Sequence, residues 1–326
     1  MSKEQIDKAI GQHWDEHRAQ ATPQRNRWWK SPRIIGHINR MVCGKSLEGV
    51  SEGPIQIIKE ILNGGSFGEA LSIGCGGAHK ELEFVKQGLV DHFYLYELSE
   101  KNCELAKHRF ESTGYGDRVT VINKDFFEDQ PREFDLIHWD NSLHHMFNSR
   151  DAIARTYDCL RPGGLFYMND FVGSTRFQWS DTELEQINYF RKNLPPEMFN
   201  NPLGGRFPRQ VERPSLKQMI AADPSEAADS SSILPALEEL LPNPKVIPTG
   251  GTIYHTSLND VLVNIEEDSP LLTQALKIDE AISKKGFFQY AVCLAEKGFV
   301  YQLALNSFNP SQAILGLFHN RQASPA

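Results

Sequence analysis

Short apolar runs alternate with helix-like segments between residues 69 and 170, and no other feature of the sequence constrains the fold as strongly. The runs are EALSIG (69–74), HFYLYEL (92–98), VTVINKD (119–125), FDLIHWD (134–140) and LFYMND (165–170). Helix-like segments at 78–88, 99–112 and 150–160 lie between them. Strands and helices that alternate at this spacing indicate βαβ units. We therefore predict an α/β fold with a doubly wound, mostly parallel sheet.

The first predicted strand ends in a glycine-rich turn, LSIGCGGAH (71–79). Doubly wound sheets bind ligands beyond the carboxyl ends of their strands, and Gly74 lies at such an end. A nicotinamide dinucleotide requires the pattern G-x-G-x-x-G, but the third glycine position here holds His79. The turn therefore argues against a dehydrogenase, although a dehydrogenase of the same architecture stays an alternative.

The segments around this alternating region complete a predicted Rossmann-like sheet of seven strands. We predict an N-terminal helical lid at 1–60, a cofactor-binding core at 61–175 and an insert at 176–240 that forms the acceptor-site wall. The last two strands are predicted within 241–300, from the apolar runs at 243–265 and 286–298, and a C-terminal tail at 301–326. The insert, rich in proline, glycine and arginine, thus falls between strands five and six.

Composition and charge exclude several classes of protein. The 326 residues are 40% hydrophobic and 23% charged, as is usual for a soluble globular protein, and the formal net charge of −8 argues against a nucleic-acid partner. No apolar run approaches the ~18–20 residues that a membrane span needs, and the charged N-terminus lacks a signal peptide's apolar segment. The five cysteines form no C-x-x-C pair. We expect a cytoplasmic protein without a zinc site, and we leave a homodimer open.

Motifs at successive strand ends resemble those of the class I S-adenosylmethionine-dependent methyltransferases over most of residues 60–297. They are the G-x-G at 74–76, an acid closing the second strand, an acid and aromatic pair closing the third, WDNSLHHM at 139–146 and CLRPGG at 159–164. The resemblance implies S-adenosylmethionine as cofactor. It implies these cofactor-binding residues: Gly74, Cys75, Gly76, Glu97, Leu98, Asp125, Phe126, Asp140, Asn141 and Ser142. The sequence departs from the family at Ser72, where an acid is common, and at Ala78, where a third loop glycine is common.

Candidate catalytic residues follow the fourth and fifth predicted strands. His144 and His145 follow the fourth strand and Asp170 follows the fifth, and a histidine can take a proton near neutral pH without strong tuning. Alignment of the acceptor with the activated methyl group is the alternative, and it needs no base. Asp140, Asn169 and Asp170 could together hold Mg²⁺, but they also fit contacts to turns and cofactor, so we predict no metal.

Further segments resemble a narrower branch of the family, found alone or fused to glycosyltransferases in bacterial polysaccharide and natural-product pathways. WWKSPRIIGHINRMVCG (28–44) and NDFVGSTRFQW (169–179) carry this resemblance. It implies a sugar or small-molecule acceptor, and we expect methylation at oxygen. The predicted acceptor-binding residues are Trp29, His37, Arg40, Arg176, Gln178, Trp179 and His255. The alternatives are a Mg²⁺-assisted diol O-methyltransferase and a methyltransferase-like protein that binds the cofactor without turnover.

Overall fold

A seven-stranded sheet forms the centre of the computed structural model, which describes residues 8–15, 27–130 and 132–298. The strands are β1 (Phe67–Ile73), β2 (Val90–Tyr96), β3 (Val119–Ile122), β4 (Phe134–Asp140), β5 (Leu160–Phe171), β6 (Lys245–Gly250) and β7 (Tyr290–Glu296). Their order across the sheet is β3-β2-β1-β4-β5-β7-β6. The predicted tail at 301–326 lies outside the described residues.

Strand direction places the ends of most strands at one edge of the sheet. Strands β1 to β5 run parallel, whereas β7 pairs antiparallel with both β5 and β6. The carboxyl ends of β1 to β6 therefore share one edge with the amino end of β7. The predicted fold class, a mostly parallel seven-stranded Rossmann-like sheet, is confirmed.

Helices cover both faces of the sheet and extend beyond it. Residues 8–15 form α1, and the later helices are α2 (Pro32–Cys43), α3 (Glu52–Leu62), α4 (His79–Lys86), α5 (Glu100–Ser112), α6 (Ser149–Asp158), α7 (Asp181–Lys192), α8 (Leu216–Ala222), α9 (Ile233–Leu240) and α10 (Pro270–Ser283). Short polar side chains start several of them: Ser99 caps α5 and Asn148 caps α6 by accepting a backbone N–H. Within the described ranges, no helix combines the length and apolar character needed to cross a membrane.

Side-chain alternation along β5 shows how the core is divided. Leu165 and Tyr167 pack on one face of the sheet, against apolar residues of α3 and α4. Phe166 and Met168 pack on the other face, against residues of α6 and α9. Both faces are buried, which is why the predicted strands have nearly continuous apolar sequences.

Helices α2 and α3, which belong to the predicted N-terminal lid, pack against the sheet. Val42 of α2 and Ile55, Ile57 and Ile58 of α3 are buried in the apolar layer beneath the sheet. These two helices therefore form a structural layer, because their apolar stripes need the sheet to exclude water. The lid at 1–60 stays a prediction, and the part of residues 1–26 other than α1 lies outside the described residues.

The segment after β6 is not a strand beyond Gly250, which corrects the run predicted at 243–265. Gly250 and Gly251 have φ angles of 88° and 104°, in the left-handed region, and end the strand. A π-helix follows at Thr252–Ser257. The buried Asp279 of α10 accepts hydrogen bonds from the backbone N–H groups of Gly251 (3.1 Å) and Ile253 (2.6 Å). Together these features turn the chain away from the sheet.

Candidate functional site

A cavity of about 320 Å³ opens at the carboxyl ends of β1, β2 and β4. All ten residues predicted to bind a cofactor line it: Gly74, Cys75, Gly76, Glu97, Leu98, Asp125, Phe126, Asp140, Asn141 and Ser142. They come from four separate loops that only the sheet order brings together. The cavity therefore lies where a doubly wound sheet binds its ligand.

The turn after β1 brings backbone close to the cavity. Gly74 and Gly76 have φ angles of 66° and 54°, which favour glycine. A Cβ atom at Gly74 would lie 3.0 Å from Cβ of Ser142 on the opposite wall. A larger residue at Gly74 would therefore narrow the cavity between the turns after β1 and β4.

The Glu97 carboxylate joins two loops of the cavity wall. One oxygen accepts the N–H of Gly76 at 2.8 Å and the other accepts the N–H of Ser99 at 2.9 Å. Burial raises the pKa of Glu97, and these N–H groups oppose the shift. The Asn102 side chain and the Leu98 backbone also hydrogen-bond to this carboxylate, which lines the cavity and can accept hydrogen bonds from a ligand there.

A lysine that was not singled out in the sequence also lines the cavity. Lys80, in the first turn of α4, forms an ion pair with the buried Asp140 at the end of β4. Tyr167 donates a hydrogen bond to Asp140 at 2.9 Å. The position of Lys80 just after the glycine turn was a usable signal, since the first turn of the following helix faces the same ligand site.

Ser72, a position where the resemblance led us to expect an acid, pairs with a carboxyl group from another element. The Ser72 hydroxyl donates to Glu81 of α4 at 2.8 Å, and both side chains are buried. Burial raises the pKa of Glu81 to about 7. Glu81 does not line the cavity, so its carboxyl group lies behind the cavity wall.

His144 and Asp170 form a buried pair behind the cavity. Asp170 lies 2.5 Å from Nδ1 of His144, and it also accepts backbone N–H groups from Ser142 (2.9 Å) and Leu143 (2.7 Å). Burial alone would lower the pKa of His144, but the Asp170 carboxylate outweighs it and raises that pKa. Neither side chain lines the cavity, and the backbone hydrogen bonds of Asp170 hold the turn after β4.

His145, by contrast, lines the cavity. Its Nδ1 atom lies 3.0 Å from the Ser225 hydroxyl of the insert, and its ring makes an edge contact with Trp14 of α1 at 5.2 Å. Burial and the neighbouring His144 lower the pKa of His145 to about 3. Of the three predicted catalytic residues, His145 alone reaches the cavity surface.

The two carboxylates among Asp140, Asn169 and Asp170, the three possible magnesium ligands, already have protein partners. Asp140 bonds to Lys80 and Tyr167, and the nearby Asn169 amide donates to it at 3.3 Å. Asp170 bonds to His144 and to three backbone N–H groups. Their arrangement is explained by these protein contacts.

None of the seven predicted acceptor-binding residues lines this cavity; they are Trp29, His37, Arg40, Arg176, Gln178, Trp179 and His255. Arg176 donates to the backbone carbonyls of Pro224 (2.6 Å) and Glu226 (2.9 Å), and therefore braces the insert. Arg40 bridges the ring of His37 and the Glu280 carboxylate of α10.

The other predicted acceptor residues lie at the insert or on the surface. Trp179 and His255 line another cavity of about 240 Å³, between the insert and residues 255–260, and Phe171 stands between His255 and His144. The Gln178 amide donates to two backbone carbonyls. Trp29 is 45% exposed.

Helix α1 contributes residues that the sequence did not mark as cavity residues. Ile10 and Trp14 line the cavity, and the Asp15 carboxylate accepts hydrogen bonds from Ser99 (2.5 Å) and from the Lys101 N–H (3.3 Å). The spacing of Ile10 and Trp14, four residues apart, was a signal that both share one helix face.

Comparisons with known proteins agree with this geometry. Residues 71–166 match the family model described as "Methyltransferase domain". Demethylmenaquinone methyltransferase of Leptospira interrogans is 29% identical over 112 residues, which cover 33% of this chain and 45% of that relative. The chain thus matches less than half of the length of this relative.

A solved structure shares the fold over most of the chain. It is geranyl diphosphate C-methyltransferase from Streptomyces coelicolor A3(2), in complex with Mg²⁺, geranyl diphosphate and S-adenosyl-L-homocysteine. The similarity covers 90% of this chain and 98% of that one, with a TM-score of 0.50 and 13% identity. Residues 71–166 are thus similar to a methyltransferase domain, and the chain as a whole shares its fold with a methyltransferase of known structure.

Proposed function

We propose that the chain transfers the methyl group of S-adenosylmethionine to a small-molecule acceptor. One observation carries this proposal: the ten cofactor residues predicted from separate strand ends all line a single cavity. The position after the G-x-G turn supports the same choice over a dinucleotide, because His79 begins α4 where a dinucleotide site needs a glycine.

The chemistry of the wall suggests how the cofactor lies in the cavity. In our proposal, the ribose hydroxyls donate to the two oxygens of Glu97, which are held in place by Gly76 and Ser99. The methionine end lies along the turn at Gly74, with Lys80 near its carboxylate. The adenine lies between Asp125 and Phe126.

The methyl group then points toward the turn after β4, where His145 is exposed to the cavity. The acceptor's lone pair forms a bond to the methyl carbon while the sulfur–methyl bond breaks and the sulfur keeps the electron pair. This in-line reaction depends chiefly on alignment, because the sulfonium already activates the methyl group. His145 contacts the acceptor in this arrangement, whereas His144 and Asp170 position the turn that carries it.

An oxygen of a sugar or another small molecule is the acceptor we propose. The names of the two similar proteins refer to small molecules: demethylmenaquinone for one and geranyl diphosphate for the other. The acceptor site that we propose here lies between His145 and the insert, beside Phe171. Arg176 has no part in it, because its guanidinium is bonded to insert carbonyls.

Two measurements test this function. Calorimetry should show that S-adenosylhomocysteine binds and NAD does not, and tighter binding of NAD would overturn the cofactor assignment. Release of S-adenosylhomocysteine should then be measured over a panel of sugar nucleotides, phenols and small acids, with a Gly74→Val variant as the control for a blocked cavity. Binding without turnover on any member of the panel would favour a protein that only binds the cofactor.

A further inference from the structure

We propose that His144, His145 and Glu226 form a binding site for a divalent transition-metal ion beside the cofactor cavity. One potential ligand atom from each side chain lies within 4.8 Å of the other two. Nε2 of His144 is 3.9 Å from the Glu226 carboxylate. The sequence did not predict this set, because Glu226 lies in the insert, far along the chain from the two histidines.

The hydrogen bonds of His144 direct its Nε2 atom toward Glu226. Its Nδ1 atom faces Asp170. The Asp170 oxygens accept three backbone N–H groups, so this side chain is an ionised carboxylate that accepts hydrogen bonds and donates none. Nδ1 must then carry a hydrogen, and Nε2 can offer its lone pair. A carboxylate that binds the far nitrogen of a histidine is the usual support for a metal-binding imidazole.

The same reasoning applies to His145 through Ser225. The Ser225 hydroxyl has one hydrogen, and Asp223 lies 2.8 Å away to accept it. Ser225 must therefore accept the hydrogen bond from Nδ1 of His145, at 3.0 Å. His145 thus carries its hydrogen on Nδ1 and also leaves Nε2 able to bind a metal ion.

Backbone hydrogen bonds hold the loop of Glu226 against the two histidines. The N–H of Ala228 donates to the carbonyl of His144 at 3.0 Å. Arg176 binds the carbonyls of Pro224 and Glu226, and its own N–H donates to Ala227 at 2.7 Å. The third ligand is therefore attached to the first two by contacts that need no metal, as a preformed site requires.

Two imidazoles and one carboxylate select a particular class of ion. Zn²⁺, Mn²⁺, Fe²⁺ and Co²⁺ accept such mixed nitrogen and oxygen ligands, whereas Mg²⁺ and Ca²⁺ prefer oxygen alone. Metal–ligand bonds of about 2.0–2.2 Å need ligand atoms roughly 3–4 Å apart, so the set requires only a small closure. The Glu226 side chain is 30% exposed and has room to make that movement.

The use of such an ion rests on the proposed function. Three protein ligands leave coordination positions for an oxygen of the acceptor, and His145 faces the cavity in which the methyl group is proposed to lie. A bound ion would supply Lewis-acid stabilisation to that oxygen. The binding of the metal itself can be tested without any acceptor.

The experiment is a titration of the metal-free full chain with Co²⁺, followed by its visible absorption. We expect one equivalent to bind and give d–d bands, with Glu226→Gln weakening the affinity about tenfold or more. Glu212→Gln, at an exposed glutamate of the same insert, should leave the affinity unchanged.

The outcomes separate the possible failures. If Co²⁺ gives no d–d bands, or binds Glu226→Gln as tightly as the parent, the site is overturned and His144 serves only as a partner of Asp170 and Glu226. S-adenosylhomocysteine binding by the metal-free protein should be measured on the same samples. If the metal-free protein does not bind S-adenosylhomocysteine, the proposed function is contradicted, whatever the result with Co²⁺.

Discussion

Replacing Glu97 with alanine should weaken the binding of S-adenosylhomocysteine without changing which ligand is bound. The carboxylate oxygens accept backbone N–H groups from Gly76 and Ser99, and the side chain lines the cavity, where in our proposal it also accepts the ribose hydroxyls. Hydrogen bonds to a charged group contribute about 1.5–3 kcal/mol, so the dissociation constant should rise about 10- to 150-fold. Isothermal titration calorimetry measures this change directly.

The same substitution also affects folding, and the assay must separate the two effects. Removing the carboxylate leaves two N–H groups without their partner, at a cost of about 1–3 kcal/mol each if they stay buried. The thermal unfolding midpoint of each variant should therefore be measured, and the binding calorimetry should be run well below that temperature. Glu100→Ala, at an exposed position nearby, removes the same charge outside the cavity. A folded Glu97→Ala protein that binds as tightly as Glu100→Ala would refute the assignment.

Three further predictions concern His145, Trp14 and the buried pair of His138 on β4 and Glu81 on α4, whose Nδ1 atom and carboxylate lie 3.6 Å apart. His145→Ala should raise the KM of the acceptor, keep kcat within about tenfold of the parent and leave the affinity for S-adenosylhomocysteine nearly unchanged, because alignment drives the reaction; a fall in kcat of about 10²-fold or more would show that His145 transfers a proton. Trp14→Ala should weaken S-adenosylhomocysteine binding by about 1–2 kcal/mol, because Trp14 lines the cavity. The control Gln12→Ala, at an exposed position of α1, should leave this binding unchanged. Equal effects of the two substitutions would exclude a cover formed by α1. Burial lowers the pKa of His138 to about 4 and raises that of its neighbour Glu81 to about 7, so acidification destabilises the fold through the histidine and stabilises it through the carboxyl group. As the pH falls from 7 to 5, the free energy of unfolding of His138→Phe should rise by about 2 kcal/mol relative to the parent, and that of Glu81→Gln should fall by a similar amount. Denaturant unfolding measures both changes, and shifts of the same sign would contradict this assignment.

The signs in the last prediction follow from where each group takes up its proton. The unfolded chain protonates a histidine near pH 6.5 and the folded protein only near pH 4, so His138 favours unfolding as the pH falls between these values. Glu81 takes up a proton near pH 7 in the folded protein and near pH 4.5 in the unfolded chain, so it favours folding over the same interval. Each substitution removes one of the two opposing contributions.

The sequence predicted the sheet well because each strand carries its own signal. In β4 every residue but Asp135 is buried, as in a strand covered on both faces, and the turn at Gly74 marks the ligand edge. The cavity residues were found for the same reason, since strand ends lie together once the sheet order is known. Side chains whose partners lie far along the chain were harder to assign.

Arginine and histidine residues show this limit clearly. Arg176 was predicted to bind an acceptor, but its guanidinium donates hydrogen bonds to backbone carbonyls about 50 residues later in the chain. No local sequence pattern predicts the position of that loop. His144 and His145 are adjacent in sequence, yet only His145 reaches the cavity. The turn after β4 directs the neighbouring rings toward different partners, and this depends on Asp170 and Ser225, which are contributed by other segments.

The contacts of α1 have a consequence for the order of events in turnover. The helix covers the cavity with Ile10 and Trp14, holds Ser99 through Asp15, and reaches the insert through His13, which lies 3.6 Å from Asp223. One segment thus contacts both the loop beside the cofactor and the loop beside the proposed acceptor site. We expect the spent cofactor to leave only after this segment has been displaced, which would make product release slow and would favour binding of the cofactor before the acceptor.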